Sequence, residues 1–60
     1  MKWILRESVW LLESKDGKYI AILYSDGFVR YAGADGQECA TRFDTDTSVE
    51  GRKMAVEMLV

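Results

Sequence analysis

Three Asp-Gly pairs, Asp16-Gly17, Asp26-Gly27 and Asp35-Gly36, divide the middle of this 60-residue chain at nearly even spacing. Each pair follows and precedes a short strand-like run, and Asp-Gly is the turn chemistry of a tight β-hairpin. A two-residue type I′ loop needs positive φ at both positions, which Asp tolerates and Gly adopts freely. Read this way, the chain is an antiparallel meander with strands near residues 9 to 14, 18 to 25, 28 to 33 and 37 to 43.

The run from Lys18 to Tyr24 is apolar on both alternating sides, with Tyr19, Ala21 and Leu23 on one and Ile20, Ile22 and Tyr24 on the other. That suits a strand covered on both faces. Residues 3 to 13 are ambiguous, because Ile4, Leu5, Ser8, Val9 and Leu12 would also line one side of a helix. Two tryptophans, a valine and an isoleucine favour strand, as does the Ser-Lys-Asp-Gly that follows. Arg6-Glu7-Ser8 interrupts the apolar pattern, so a bulge or a break into two short strands is expected there.

After Phe43 the pattern changes. Thr47 with Glu50 fits a capping box that opens a helix from about 47 to 59, and Gly51 costs that helix about 1 kcal/mol relative to Ala. The fold expected is α+β: a four-stranded meander, five-stranded if residues 2 to 8 form their own strand, with one C-terminal helix packed on one sheet face. Nothing marks a boundary or linker, so residues 1–60 read as one domain.

Counting outward from two-residue turns sorts side chains onto two faces. Val9, Leu11, Ile20, Ile22, Tyr24, Val29, Tyr31 and Ala40 make a core face. The other collects Trp10, Leu12, Tyr19, Ala21, Leu23, Phe28, Arg30, Ala32, Cys39, Thr41 and Phe43. A three-residue loop with a bulge would reverse the partner strand's faces. On a helical wheel Val49, Ala55, Val56, Leu59 and Val60 form a core stripe, and Met54, Met58 and Gly51 extend the apolar arc. Glu50, Lys53 and Glu57 remain as the polar side.

Composition narrows the chemistry. The chain has no histidine and one cysteine, so it has neither an internal disulfide nor a His-paired nucleophile. Cys39, inside a strand, reads as a small buried residue. The glycines serve turns rather than a phosphate loop. Asp44-Thr45-Asp46-Thr47-Ser48 has the alternating oxygens of a calcium loop, but Val49 stands where glycine belongs and Ala55 where the bidentate glutamate belongs. The expectation is a non-enzyme without catalytic, cofactor or metal residues. A net charge of −2 argues against binding nucleic acid or anionic membrane through bulk charge. No apolar run is long enough to span a membrane, and a cytoplasmic location is the default.

Trp10 to Glu13, Asp16-Gly17, Asp26-Gly27 and Thr47 to Leu59 together resemble the small accessory proteins of phages and prophages, at the level of topology. That resemblance implies a host-protein inhibitor or adaptor. From the residues, a sheet apolar on both faces exceeds what one short helix covers, so a protein partner or a homodimer is expected. The candidate contact residues are Trp10, Leu23, Phe28, Arg30, Phe43, Met54 and Met58. Turn aspartates form a second candidate, with Asp16 and Asp35 at one end of the sheet and Asp26, Asp44 and Asp46 at the other, a negative rim for a basic partner. The alternative is a platform for single-stranded nucleic acid, built from aromatics with Arg30 and Arg42. Counting from the turns places those two arginines on opposite faces, which weakens that alternative.

Overall fold

A computed structural model describes residues 1–33 and 35–60. Five strands, β1 (Lys2–Arg6), β2 (Val9–Glu13), β3 (Tyr19–Leu23), β4 (Phe28–Ala32) and β5 (Glu38–Arg42), precede one helix, α1 (Val49–Leu59). The strands form one antiparallel sheet in the order β1-β2-β3-β4-β5. The meander and its C-terminal helix are therefore as expected, with residues 2 to 8 supplying a fifth strand and the turn that follows it.

The turns differ from expectation. In the first two Asp-Gly loops only the glycine has positive φ, +86° at Gly17 and +90° at Gly27. Gly17 N–H donates to Ser14 O at 3.0 Å and Ser14 N–H to Lys18 O at 2.8 Å; Gly27 and Tyr24 repeat the pattern with Tyr24 O and Phe28 O. This is a type I turn closed by a left-handed glycine, one residue longer than a type I′ loop. The same pair of bonds recurs between Gly33, Gly36 and Gln37. The aspartates stay in ordinary backbone conformation and accept, through Oδ1, the N–H two residues on: Lys18 at 3.3 Å, Phe28 at 3.0 Å, Gln37 at 3.1 Å. That bond satisfies a donor the bulge takes out of the ladder, and is the physical reason Asp precedes Gly here.

The type I′ turn lies elsewhere. Glu7 and Ser8 have φ of 49° and 69° and join Arg6 directly to Val9 across the ladder.

Turn length sets which side chains share a face. Between β2 and β3 the longer loop is offset by one extra residue in β3, since Glu13 stands opposite Tyr19 while Leu12 stands opposite Ala21. Ile20 is that bulge residue, and it packs against the core. Trp10 and Leu23 thus remain partners. The next loop has no such compensation, so Leu23 meets Val29 and Ile22 meets Arg30. β4 is turned over relative to a two-residue loop: Val29 and Tyr31 join Leu12 and Leu23, and Phe28, Arg30 and Ala32 join Leu11 and Ile22. A second uncompensated loop places Cys39 opposite Tyr31 and Thr41 opposite Val29.

The core comprises Leu12, Ala21, Leu23, Val29 and Val56, with Trp3, Trp10, Tyr31, Phe43 and Val60 packed around it. The helix lies on this face and its backbone comes nearest β4. Its cap is Ser48 rather than Thr47, for the Gly51 N–H donates to Ser48 Oγ at 3.0 Å. A Cβ at Gly51 would stand 3.1 Å from the Thr47 methyl and 3.3 Å from Ser48 Oγ, so the glycine that weakens the helix also leaves room for its cap.

The buried side of α1 includes Val56 and Val60 of the expected stripe but is shifted round the helix. Arg52 and Lys53 are each 8% exposed, whereas Val49 and Leu59 are exposed at 37% and 41%. Lys53 lays its stem against the tryptophans, its ammonium 3.2 Å from the centre of the Trp10 ring and 6.0 Å from that of Trp3, and 3.4 Å from Glu50 Oε1. An aromatic floor and a carboxylate make a lysine acceptable at a core-facing position. Arg52 donates through Nε to Thr47 O at 3.2 Å, tying the helix to its leading loop.

Candidate functional site

One helix covers one face, which leaves the other face open. Strand alternation and the observed register place Lys2, Ile4 and Arg6 of β1 on it, with Val9, Leu11 and Glu13 of β2, Tyr19 and Ile22 of β3, Phe28, Arg30 and Ala32 of β4, and Glu38, Ala40 and Arg42 of β5. Tyr24 continues the alternation just beyond β3. Ile4, Val9, Leu11, Ile22, Tyr24, Phe28 and Ala32 are all only half-buried. Five strands about 4.8 Å apart and five residues long give this face about 400 Å².

Arg30 and Arg42 share this face, contrary to the reading from two-residue turns, because β4 is turned over and β5 follows it in register. Arg30 pairs with Glu38 on the neighbouring strand. Glu38, and after it the Tyr24 hydroxyl, raise the Arg30 pKa above its ordinary value. Arg42 sits 3.5 Å from Asp26 Oδ2 and 5.6 Å from the centre of the Phe28 ring, which itself packs on Tyr24 at 5.9 Å between ring centres. Two shallow depressions mark the surface, one bordered by Ile22, Arg30, Ala32 and Glu38, the other by Tyr24, Asp26 and Phe28.

The contact residues expected from sequence separate onto three surfaces. Phe28 and Arg30 lie on the open face. Met54 and Met58 lie on the outer side of the helix, 67% and 87% exposed. Trp10, Leu23 and Phe43 belong to the helix side: Leu23 is 1% exposed, Trp10 lies beneath Lys53, and Phe43 packs on the core and donates its N–H to Gly27 O at 2.8 Å. Leu23 is closed off in the core, while Trp10 and Phe43 are partly buried beside it. The open-face residues that sequence reading assigned to the core, Val9, Leu11, Ile22, Tyr24 and Ala40, are the ones it missed. The signal was present in the alternation, but the longer Asp-Gly loop had to be recognised first.

The acidic turns carry structural bonds of their own. A hydrogen bond from Ser14 lowers the Asp16 pKa from its ordinary value, and one from the Phe28 N–H lowers that of Asp26. Asp44 Oδ1 accepts the Asp46 N–H at 2.9 Å, so that pair is engaged in turn formation. Among the described residues no group of three or more potential metal ligands comes together, and no helix is long and apolar enough to cross a membrane. The chain matches no family model, and no curated protein and no solved structure is significantly similar to it.

Proposed function

We propose that this chain is a non-enzymatic protein-interaction module, acting as an inhibitor or adaptor does, with the open sheet face as its main contact surface. The carrying observation is that α1 covers only the Leu12–Leu23–Val29 face, leaving seven half-buried apolar side chains on the other. Apolar side chains grouped on one face and rimmed by charged ones suit a surface that contacts another protein. A cytoplasmic setting, and an origin among phage-type accessory proteins, are parts of this reading. Met54 and Met58 supply a second contact, which we assign to self-association of two copies.

Light scattering over a concentration series tests the self-association. A mass near 6.9 kDa throughout rejects the homodimer and leaves the sheet face for a heterologous partner. Comparative capture from a host extract tests the sheet face. A partner retained by the wild type and lost with Leu11→Glu supports it; equal capture by both proteins rejects it.

One observation favours a second reading, single-stranded nucleic acid: Arg30 and Arg42 stand on one face with Tyr24 and Phe28. Tight, salt-sensitive binding of labelled single-stranded DNA would select it.

A further inference from the structure

All the charged residues of the five strands, Lys2, Arg6, Glu13, Arg30, Glu38 and Arg42, lie on the open face, four cations against two anions. On a protein whose net charge is −2, this surface has the opposite sign. Its charges are also ordered along the strands. Arg6 and Arg42 stand at the end of the Glu7–Ser8 and Asp26-Gly27 turns, on the two edge strands, with Val9, Tyr24 and Phe28 between them. Glu13 and Glu38 stand at the far end, where Glu13 is the cross-strand partner of Lys2.

From this arrangement we infer that the open face takes an acidic, apolar-centred segment of a partner protein, laid across the strands from Arg6 to Arg42; the inference rests on the interaction-module reading above. Four strand spacings separate β1 from β5, about 19 Å. An extended segment covers that distance in about six residues, so its carboxylates flank a short apolar stretch that meets Val9, Tyr24 and Phe28. Among the described residues Arg6 has no carboxylate within ion-pair distance. Arg42 has Asp26, but both side chains are 61% exposed, and a pair so exposed is worth at most about 1 kcal/mol and exchanges readily.

The same details favour a protein segment over a nucleic acid strand. Stacking needs free aromatic faces. Phe28 already carries the Arg42 guanidinium and packs on Tyr24; Tyr19 stands apart at the far end, opposite Glu13, and the surface between is aliphatic: Ile4, Val9, Leu11 and Ile22.

The test is fluorescence anisotropy with three labelled probes: a short peptide with aspartates at both ends of a Leu-Val-Phe centre, the same peptide with lysines at its ends, and oligo-dT. The acidic peptide binds at least tenfold more tightly than the lysine peptide, and raising salt weakens it. Arg6→Glu and Arg42→Glu each reduce that affinity at least fivefold, while Lys15→Glu, exposed in the loop at the opposite end of the sheet, leaves it unchanged. The Arg6 variant guards against an effect on folding, since Arg6 makes no ion pair among the described residues. Equal affinity for the two peptides, or no response to the arginine variants, overturns the proposal. So does oligo-dT binding more tightly than the acidic peptide, which assigns the face to nucleic acid. If the peptides fail while Leu11→Glu still abolishes capture from extract, the interaction face stands and only the acidic character of its partner is wrong.

Discussion

The Glu7–Ser8 turn and the Asp-Gly turns solve the same problem with opposite resources. The first joins two strands with two residues, both in left-handed conformation and neither a glycine. Non-glycine residues pay about 1–2 kcal/mol each for that conformation, so the strain is borne by the β1–β2 ladder and the side chains it brings together, Leu5 with Trp10 and Trp3 with Leu12. The Asp-Gly turns use one left-handed glycine and an aspartate that bonds the backbone beyond it. They store little strain and form from local chemistry. The difference teaches that a turn imposed by its strands is invisible in the turn residues themselves, whereas a turn that makes its own hairpin is visible at once.

The comparison breaks most sharply at Gly27. A Cβ there would lie 2.4 Å from the Phe43 carbonyl oxygen and 3.6 Å from the Thr45 methyl, on top of the left-handed strain. Gly27→Ala should cost about 3 kcal/mol, because the backbone after β5 must move and the Phe43 N–H to Gly27 O bond goes with it. Urea denaturation measures the loss, and a cost equal to that at Gly17 would show that the loops do not touch. Gly17 has nothing within 4 Å of its absent Cβ. Gly17→Ala should therefore cost only the conformational strain, about 1 kcal/mol after the entropy lost from the unfolded chain is counted.

The strands-impose-the-turn argument is sharpened by relieving the strain. Glu7→Asn with Ser8→Gly should raise stability by about 1 kcal/mol, a gain of roughly 4–8 °C in Tm for a domain of this size. An unchanged Tm would mean the two residues are not strained. The smallest effect is acid sensitivity. Asp16 and Asp26 have folded pKa values below the ordinary aspartate value, so they contribute stability that is present above that value and lost as pH falls through the folded ones. Both are fully exposed, so the loss is slight and confined to pH below about 4. Asp16→Asn with Asp26→Asn should flatten thermal melts recorded across that window.

Strand positions were legible from the sequence because Asp-Gly punctuates them, and the helix because the pattern changes abruptly after Phe43. The turn class was not, since an Asp-Gly dipeptide fits both a two-residue loop and the end of a longer one. That ambiguity misplaced β4 alone relative to its neighbours, since the Ile20 bulge restores parity in β3 and β5 is turned over a second time; with Val29 and Tyr31 counted beside Leu11 and Ile22, the open face reads as the core. The candidate site suffered accordingly. Phe28 and Arg30 were named from a face they share with Leu11 and Ile22, not with Trp10 and Leu23. Lys53 was equally hard to read, because a lysine counts as polar until a tryptophan is known to lie beneath it.

The position of that lysine has a practical consequence. Both tryptophans of the chain lie on the helix side, beneath or beside Lys53, with Trp3 also donating through Nε1 to Glu57 Oε2 at 3.3 Å. Their emission is therefore an optical gauge of whether the helix is seated, and it is blind to what sits on the far side of the sheet. A ligand on the open face should leave tryptophan fluorescence almost unchanged while perturbing tyrosine absorbance through Tyr24. A ligand that shifts the tryptophan spectrum has prised up the helix or bound on its side. The molecule thus reports, from its own chromophores, which of its two faces has been touched.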